Sequence, residues 1–300
     1  MAAPAPHRPL SIRLINGVGA TLRKLGLPLL ERDEAGLLRA ARRSTRLEDF
    51  GGEEFRTGLS RLLESIDSEA HLNVIGRIMT RAMLLNCLTN RLQLHDHRRR
   101  HPRLQEQEIR RPLFIVGLPR TGTTILFNLL AEDPQSRAPL TWEVQWPCPP
   151  PRSETFHTDP RIAKMAKQLS FLPKIAPNLR AIHEFASELP QECVAITGHE
   201  LASVQFHVIM NVPSYQAWLD RQSFLLAYRF HRRFLQHLQS EHGGVRWVLK
   251  SPGHLAAIED ILAVYRDACI VHTHRDPVDV MPSLASLSYT LRGMSSDVID

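Results

Sequence analysis

Pro112-Leu-Phe-Ile-Val-Gly-Leu-Pro-Arg-Thr-Gly-Thr-Thr124 is the most informative stretch of this 300-residue chain. Its first part, Leu113 to Val116, predicts a buried strand, and the residues from Thr123 onward predict a helix. Between them lies a loop that contains Gly117 and Gly122. Such a loop directs backbone N–H groups toward one point, and the dipole of the following helix favours an anion there. The stretch therefore predicts a phosphate-binding loop.

The loop differs from the Walker A motif at one position. The spacing from Gly117 to Gly122 fits that motif, but Thr123 stands where it has lysine. Without the lysine, a nucleoside triphosphate loses the clamp on its β- and γ-phosphates. The positive charge lies inside the loop instead, at Arg120. This pattern argues against kinases and ATPases.

A second strand and helix follow near the C-terminus. Ala268 to His274 predicts an apolar strand that leads into Arg275. Asp276 is a favourable N-cap and Pro277 a favourable first helical residue, so the helix should begin there. Ser283 then lies two turns along the helix. An arginine with forked donors beside a hydroxyl is suited to a dianionic phosphate monoester.

A third unit of this kind lies between the other two, in Arg246-Trp-Val-Leu-Lys-Ser-Pro252. Trp247 to Leu249 predicts a short strand that ends at Lys250, and His254 to Tyr265 predicts an amphipathic helix. Taken by itself, Lys250 also fits an ordinary lysine at the surface end of a strand.

Together the three segments resemble sulfotransferases that use 3′-phosphoadenosine 5′-phosphosulfate (PAPS), in particular a bacterial branch similar to the tyrosylprotein sulfotransferases. The resemblance covers the chain from about Pro112 to the C-terminus. It implies that PAPS is the co-substrate, that Lys250 and Arg120 stabilise charge on the transferring sulfuryl group, and that no metal takes part. It also assigns the residues that bind the donor. The 5′-phosphosulfate would be held by Arg120, Thr121, Gly122, Thr123 and Thr124, and the 3′-phosphate by Arg275 and Ser283.

The acceptor hydroxyl must lose a proton as it attacks, so the site needs a general base. In Leu140-Thr-Trp-Glu143, the glutamate lies about where the tyrosylprotein-sulfotransferase branch has its catalytic Glu, although the connecting segment is about two residues longer here. Glu143 is therefore the predicted base. Four further residues remain open as candidates for this role: Glu188, Glu192, His183 and His199.

The pattern of helices and strands changes near Gln107. Upstream, apolar residues at helical spacing predict a helical N-terminal extension over residues 1–108; downstream, strands alternate with helices over residues 109–300. This predicts an α/β fold with a P-loop-type parallel sheet flanked by helices. The predicted helices upstream are Ala35–Ala41, Phe55–Ile66 and His71–Leu94. Those downstream are Arg161–Ser170, His199–Met210 and Gln222–Gln239.

The composition is that of a globular enzyme, with 43% hydrophobic and 23% charged residues. A net charge of +6 suits a polyanionic donor. Nucleic acid is not a predicted partner, because the chain lacks a basic tail, a zinc pattern and interleaved aromatic and basic residues.

The four cysteines are scattered, which is typical of reduced thiols in a cytoplasmic protein. His272 and His274 alternate along one strand without a third residue at metal-ligand spacing.

The acceptor class is open and includes small molecules, lipids and glycans. No stretch approaches the roughly 18 apolar residues of a membrane span. Ser11 to Leu30 predicts a basic amphipathic helix that packs on the domain, with peripheral membrane contact as the alternative. The oligomeric state is not predicted.

Two features depart from the family. Pro282 deletes a backbone N–H just before Ser283 and is expected to bend the helix there. The chain ends at Asp300, soon after this helix, where family members continue, which predicts a C-terminal truncation. A metal-dependent small-molecule kinase and a non-catalytic nucleotide-binding remnant are therefore kept as alternative functions.

Overall fold

The computed structural model describes residues 9–24, 33–175, 184–296 and 298, and within them the sheet is parallel. Its strand order is β2-β3-β1-β4. Three of the strands were predicted, whereas β2 is too short to show a pattern in the sequence. The strands are β1 (Leu113–Val116), β2 (Ser136–Arg137), β3 (Arg246–Lys250) and β4 (Cys269–His272).

The strand register aligns the carboxyl ends of the three longer strands. Ile115 of β1 pairs with Lys250 of β3, and Val116 of β1 pairs with His272 of β4. Because all pairs are parallel, the segments that follow these strands leave the sheet at the same edge. The carboxyl edge of the sheet therefore brings together the predicted anion-binding loop, Lys250 and the segment that begins at Arg275.

Helices cover both faces of the sheet, so the predicted α/β architecture is confirmed. Before the sheet come α1 (Leu10–Lys24), α2 (Glu34–Thr45), α3 (Phe55–Glu69) and α4 (Val74–Arg100), with a 3₁₀ turn at Pro102–Glu106. Between β1 and β3 lie α5 (Thr123–Ala131), α6 (Thr141–Gln145), α7 (Pro160–Leu169), α8 (Leu172–Ile175), α9 (Cys193–Thr197), α10 (Gln205–Ile209), α11 (Pro213–Leu219) and α12 (Leu225–Gln239). Two 3₁₀ turns, Ser153–Thr155 and Gly198–Glu200, also lie between β1 and β3. After β3 come a 3₁₀ turn at Pro252–Ala257, α13 (Ile258–Val264) and, beyond β4, α14 (Pro277–Ser295).

The prediction of one continuous helix over His199–Met210 is wrong. The 3₁₀ turn Gly198–Glu200 is followed by Leu201 at φ 52°, and α10 begins only at Gln205. The side chain of Tyr215 satisfies the backbone at this break, since its hydroxyl donates to the Leu201 carbonyl (2.8 Å) and accepts from the Ser203 N–H (3.1 Å). A tertiary contact thus replaces the helical hydrogen bonds that local spacing predicted.

The main apolar core joins the N-terminal helices to one face of the sheet. Leu59 and Leu88 belong to the same buried cluster as Phe114 and Val116 of β1. The opposite face of β1, including Ile115, packs with α5 in a second cluster. The predicted boundary between residues 1–108 and 109–300 stays a prediction.

Two histidine–tyrosine pairs lie in the core below β1. His254 Nδ1 is 2.6 Å from the Tyr228 hydroxyl, and His231 Nδ1 is 2.7 Å from the Tyr265 hydroxyl. The ring of His254 packs edge-on against Phe114. Burial lowers the pKa of His231 to about 3 and holds that of His254 well below its usual value. Both imidazoles are therefore neutral in the folded protein.

Within the described residues, no helix combines the length and the apolarity needed to cross a bilayer. The predicted amphipathic helix is present as α1 up to Lys24, and residues 25–30 lie outside the described part. Its Leu10 and Leu14 side chains are exposed, while Asn16 is buried and accepts from the Ile75 N–H (3.3 Å). Whether α1 contacts a membrane stays a prediction.

Candidate active site

The loop between β1 and α5 is held against the end of β4. The Thr273 N–H donates to the Val116 carbonyl (3.0 Å), and the Thr121 and Thr273 hydroxyl oxygens are 2.7 Å apart. Gly117 has φ 148°, and a Cβ there would lie 2.5 Å from the Thr273 hydroxyl oxygen, so the position requires glycine. Thr273 is absent from the predicted site. Its signal in the sequence is a hydroxyl residue just after the second apolar strand.

Helix α5 begins with an open N-terminus. Gly122 is its N-cap at φ 90°, and a Cβ at this position would meet nothing within 4 Å. The first N–H groups of a helix have no acceptor within the helix, and its dipole favours negative charge. Thr123 is buried beneath this end, whereas Thr124 is exposed. The geometry suits a phosphate or sulfate group.

The two predicted arginine motifs meet at this loop. Arg120 Nε donates to Ser283 Oγ (2.7 Å), across 163 positions of sequence. Arg275 Nη1 donates to the Arg120 carbonyl (3.4 Å). The residues predicted to bind the two ends of one donor molecule therefore lie in one place.

Helix α14 begins as predicted. The Asp276 carboxylate accepts from the Val278 N–H (2.9 Å), and Pro277 is the first helical residue. The helix continues past Pro282 to Ser295, and the Ser283 hydroxyl still faces Arg120. The expected bend at Pro282 therefore does not turn this hydroxyl away from the loop.

A carboxylate lies beside the predicted 3′-phosphate site. Arg275 Nε is 3.6 Å from Asp279 Oδ2, and these side chains are 50% and 62% exposed. An exposed pair of this kind contributes little stability. A bound dianion, which accepts charge-assisted hydrogen bonds from the guanidinium, can therefore replace Asp279 as its partner.

Lys250 lies at the end of β3 with its side chain almost entirely buried. Its Nζ donates to Thr124 Oγ1 (3.1 Å) on the first turn of α5. It also forms a short ion pair with Glu192. The lysine is therefore positioned by the loop on one side and by a carboxylate on the other.

Glu192 is the residue just before α9, and its side chain is 23% exposed. Its segment is anchored to the sheet region by a bridge between Leu140 and Pro190 and by the Gln191 N–H, which donates to the Pro139 carbonyl (2.7 Å). Of the carboxylates in the described ranges, Glu192 is the one that pairs with Lys250. From the sequence, Glu192 was only one of four alternative candidates for the general base.

Glu143, the predicted base, lies in a closed environment. Its side chain is fully buried, with Arg137 Nη2 2.6 Å from Oε1 and the Leu140 N–H 2.9 Å from Oε2. Burial raises the pKa of Glu143, and the neighbouring Arg137 charge opposes that rise. Both of its oxygens are thus occupied by groups that hold α6 to β2.

The three remaining candidates for the base differ in accessibility. Glu188 is exposed. His199 is buried, with Nε2 3.0 Å from the Asn90 amide nitrogen, and burial lowers its pKa to about 4. His183 lies outside the described residues.

A cavity of about 370 Å³ adjoins the Glu192 segment, and Gln191 and Ala195 are part of its wall. Most of the remaining wall surface is apolar and comes from α4, α6, α10 and the C-terminal turn of α14, although polar side chains such as Asn86, Gln168 and His199 also line it. Four of the chain's seven methionines line it, namely Met79, Met83, Met210 and Met294. Because methionine is flexible and polarisable, such a wall adapts to apolar ligands of irregular shape.

In the part of the chain that the structure describes, no group of three or more His, Cys, Asp or Glu side chains is arranged to hold a metal ion. The rings of His272 and His274 lie against each other, with centroids 3.8 Å apart. The absence of a metal from the reaction stays a prediction.

Comparison with known proteins identifies relatives of the chain. A sequence model described as the sulfotransferase family matches residues 112–300. The omega-hydroxy-beta-dihydromenaquinone-9 sulfotransferases of Mycobacterium bovis and Mycobacterium tuberculosis are 28% identical to it over 63% of this chain and 49% of their own length. The chain thus spans about half the length of these curated relatives.

Two solved structures are similar in fold and sequence. Sulfotransferase STF1 of Mycobacterium tuberculosis superposes with a TM-score of 0.78 at 34% identity, over 85% of this chain and 71% of its own. Sulfotransferase STF9 of Mycobacterium avium gives a TM-score of 0.81 at 28% identity, over 90% of this chain and 69% of its own. On the family model, the shared fold and the loop at the sheet edge, the chain belongs to the sulfotransferase family.

Proposed function

We propose that the protein transfers a sulfuryl group from PAPS to the hydroxyl group of an apolar acceptor. The observation that carries the proposal is the meeting of Arg120, Arg275 and Lys250 at the open start of α5, through hydrogen bonds to Ser283, to the loop backbone and to Thr124. Three cations beside the first N–H groups of a helix form a site for a molecule with several negative groups.

The two ends of the donor would bind different elements. The first turn of α5, with the Thr123 and Thr124 hydroxyls, would hold the 5′-phosphosulfate. Arg275 and Ser283 would hold the 3′-phosphate, with Arg275 exchanging its exposed partner Asp279 for the ligand. The fit is supported by Gly122, whose missing side chain leaves the start of α5 open.

The reaction forms one bond to sulfur and breaks another. The acceptor oxygen attacks sulfur, the bond between sulfur and the bridging phosphate oxygen breaks, and the products are a sulfate ester and adenosine 3′,5′-bisphosphate. Lys250 and Arg120 would stabilise the negative charge that builds on the bridging and sulfuryl oxygens. The buried position of Lys250 strengthens this effect, since water screens its charge little.

We assign the general base to Glu192. Its carboxylate contacts Lys250 and retains exposed surface, so an acceptor hydroxyl beside the sulfuryl group could approach it. Glu143 is fully buried and paired with Arg137, and would have to leave that pair to accept a proton. A base must lie within hydrogen-bond reach of the proton that it removes.

The acceptor class follows from the cavity beside Glu192. Most of the cavity surface is apolar and four methionines contribute to it, which favours an aliphatic or isoprenoid-like chain, while scattered polar side chains such as Asn86, Gln145 and Gln205 would pair with a few polar groups of the acceptor. The curated relatives are named for a menaquinone-derived acceptor, which agrees with a lipid alcohol. Gln191, which precedes Glu192 in the sequence, lines the cavity, so the hydroxyl end of the acceptor would lie on that side.

Turnover with labelled PAPS tests the proposal. A long-chain primary alcohol, a phenol and a disaccharide are compared as acceptors in magnesium-free buffer. We expect the labelled sulfuryl group to appear on the long-chain alcohol, in preference to the phenol and the disaccharide. Magnesium-dependent transfer from ATP would instead show a kinase. Binding of adenosine 3′,5′-bisphosphate without any transfer would identify a non-catalytic nucleotide-binding protein.

A matched pair of α4 variants tests the acceptor cavity. Met83→Trp fills the cavity, whereas Ile78→Trp adds the same ring at a position that is 47% exposed and outside the lining. The first variant should raise KM for the long-chain alcohol about tenfold and leave bisphosphate affinity unchanged. Equal KM values for the two variants would exclude this cavity as the acceptor site.

A further inference from the structure

Two adjoining cavities lie away from the candidate active site, where α4, α12, α13 and the Pro102–Glu106 turn come together. Their volumes are about 430 and 400 Å³, and they share Arg98, Gln105 and Arg233 in their walls. None of the residues assigned to the donor or to catalysis lines either cavity. Any ligand bound there would be separate from the sulfuryl donor.

The walls of these cavities are rich in arginine: Arg91, Arg98, Arg99, Arg229, Arg232 and Arg233. Two of the six have a carboxylate partner, since Arg91 pairs with Glu200 and Arg99 lies 3.9 Å from Asp96. Within the described ranges, the other four have no carboxylate at ion-pair distance, although Glu200 lies near enough to Arg233 to sense its charge. The cavities therefore carry uncompensated positive charge.

Arg98 is the central residue of this cluster. It is about half-buried, and its Nη1 donates to the carbonyl of Arg233 (3.3 Å). Burial, and then the Arg233 charge, lower the pKa of Arg98 to about 10. Arg98 and Arg233 thus place two positive charges in the walls that the cavities share, and a bound anion would offset their repulsion.

The deeper cavity has a second feature of a ligand site. Arg91 lines it and is almost fully buried, and its Nε has no hydrogen-bond partner among the described residues. Phe50, Phe230 and Phe234 form the apolar part of the same wall. The Arg91 Nε atom is shielded from the cavity, whereas the three phenyl rings give the cavity an apolar side next to its arginines.

We propose that these two cavities form a second anion site, which binds a molecule carrying two or more phosphate groups. Arg98 and Arg233 are shared by the two recesses, and Arg229 and Arg232 add positive charge to one of them. Positive charge is therefore available at more than one position, as such an anion requires. Arginine is suited to phosphate because its forked donors bind two oxygens together.

Calorimetric titration of the full chain with inorganic pyrophosphate, in magnesium-free buffer at fixed salt, tests the site. Arg98→Gln and Arg233→Gln should each weaken binding at least tenfold. Arg103→Gln removes the same charge from an exposed residue of the neighbouring turn that lines neither cavity, and should change the affinity less than twofold. Arg275→Ala should also retain binding, which separates this site from the donor site.

A second measurement identifies the source of the phosphate groups. Vesicles that contain cardiolipin, whose headgroup carries two phosphates, are compared with vesicles of phosphatidylcholine alone. Pyrophosphate binding with the stated dependence on Arg98 identifies a soluble ligand. Retention on anionic vesicles with the same dependence, but without pyrophosphate binding, identifies a lipid headgroup. If neither probe binds, or if the Arg98 and Arg103 variants behave alike, the site does not exist. Arg233 is exposed, so its variant should fold even if replacement of Arg98 disturbs α4.

Discussion

Two neighbouring strands of the sheet each end in a buried cation that is paired with a glutamate. Arg137 of β2 pairs with Glu143, and Lys250 of β3 pairs with Glu192. In the first pair the side chains are 5% and 0% exposed, and the Arg137 guanidinium lies over the ring of Trp247 (4.3 Å). In the second they are 5% and 23% exposed, and the lysine reaches the first turn of α5.

The difference between the pairs supports the proposed assignment of the base. The side chains of the Arg137 pair are almost fully buried, and the pair holds β2 and α6 together. The Lys250 pair has a partly exposed carboxylate, so under the proposed mechanism an acceptor hydroxyl can reach it and give up its proton. Both pairs join a cation to a glutamate, but only the glutamate of the second pair is accessible to solvent.

The largest effect is expected at the accessible pair. Glu192→Gln should lower turnover by about 10²–10⁴, because a glutamine cannot accept the proton of the acceptor. The variant also removes the counter-charge of the buried Lys250, so some stability should be lost, although less than at the enclosed pair because Glu192 is partly exposed. Turnover is therefore corrected for the folded fraction. Steady-state turnover and bisphosphate affinity are measured together, and the affinity should remain within a few-fold.

Glu188→Gln is the matched control, because Glu188 is an exposed carboxylate in the same segment. It should keep nearly full turnover. In the Glu192 variant, the pH–rate profile should also lose its acidic limb. If Glu192→Gln stays active while Glu188→Gln or His183→Ala does not, the base lies elsewhere in this segment.

At the enclosed pair the expected effect is on stability. Glu143→Gln leaves the buried Arg137 without its counter-charge, and breaking such a pair costs about 3–5 kcal/mol in the free energy of unfolding. Denaturant titration measures the loss. The double variant Arg137→Met, Glu143→Leu should recover much of it, because an apolar pair of similar size avoids burying charge.

Turnover of Glu143→Gln, corrected for the folded fraction, also tests the base predicted from the sequence. We expect it to be close to that of the unaltered protein. If a folded Glu143→Gln protein shows turnover reduced a hundredfold or more, Glu143 and not Glu192 is the general base.

A smaller effect is expected on the donor side, at exposed residues. Arg275→Ala removes charge-assisted hydrogen bonds worth roughly 1.5–3 kcal/mol, so affinity for adenosine 3′,5′-bisphosphate should fall at least tenfold. Ser283→Ala removes one neutral partner and should cost about 0.5–1.5 kcal/mol. Calorimetry against adenosine 5′-phosphosulfate, which lacks the 3′-phosphate, is the control. Equal losses for both ligands would contradict the assignment.

The sheet and the donor loop could be predicted because their signals are local. Leu113–Val116 is a continuous apolar run, and glycines at fixed spacing follow it directly. Arg275 and Ser283 were recognised for a similar reason, since Asp276 and Pro277 mark the start of their helix. Each of these features can be identified within about a dozen residues of sequence.

The roles of the glutamates could not be predicted in this way. Glu192 contacts Lys250 across 58 positions of sequence, and no motif near either residue predicts this contact. Strand β2 has only two residues and is defined by its pairing with β3, so Glu143 could not be recognised as the partner of a buried arginine. The proposed choice between the two glutamates rests on their burial, and burial depends on the whole fold.

The histidine–tyrosine pairs below β1 have a consequence for how the protein tolerates acid. The imidazoles of His231 and His254 stay neutral in the folded chain, whereas an unfolded histidine takes up a proton near pH 6.5. As the pH falls below that value, the unfolded state binds more protons than the folded state, so stability declines toward the folded-state pKa of about 3 for His231. The strand that carries the donor loop rests on these neutral rings through Phe114. Acid would therefore destabilise the core that supports β1 and the loop after it. Loss of activity at low pH would then have two causes, unfolding and protonation of the proposed base.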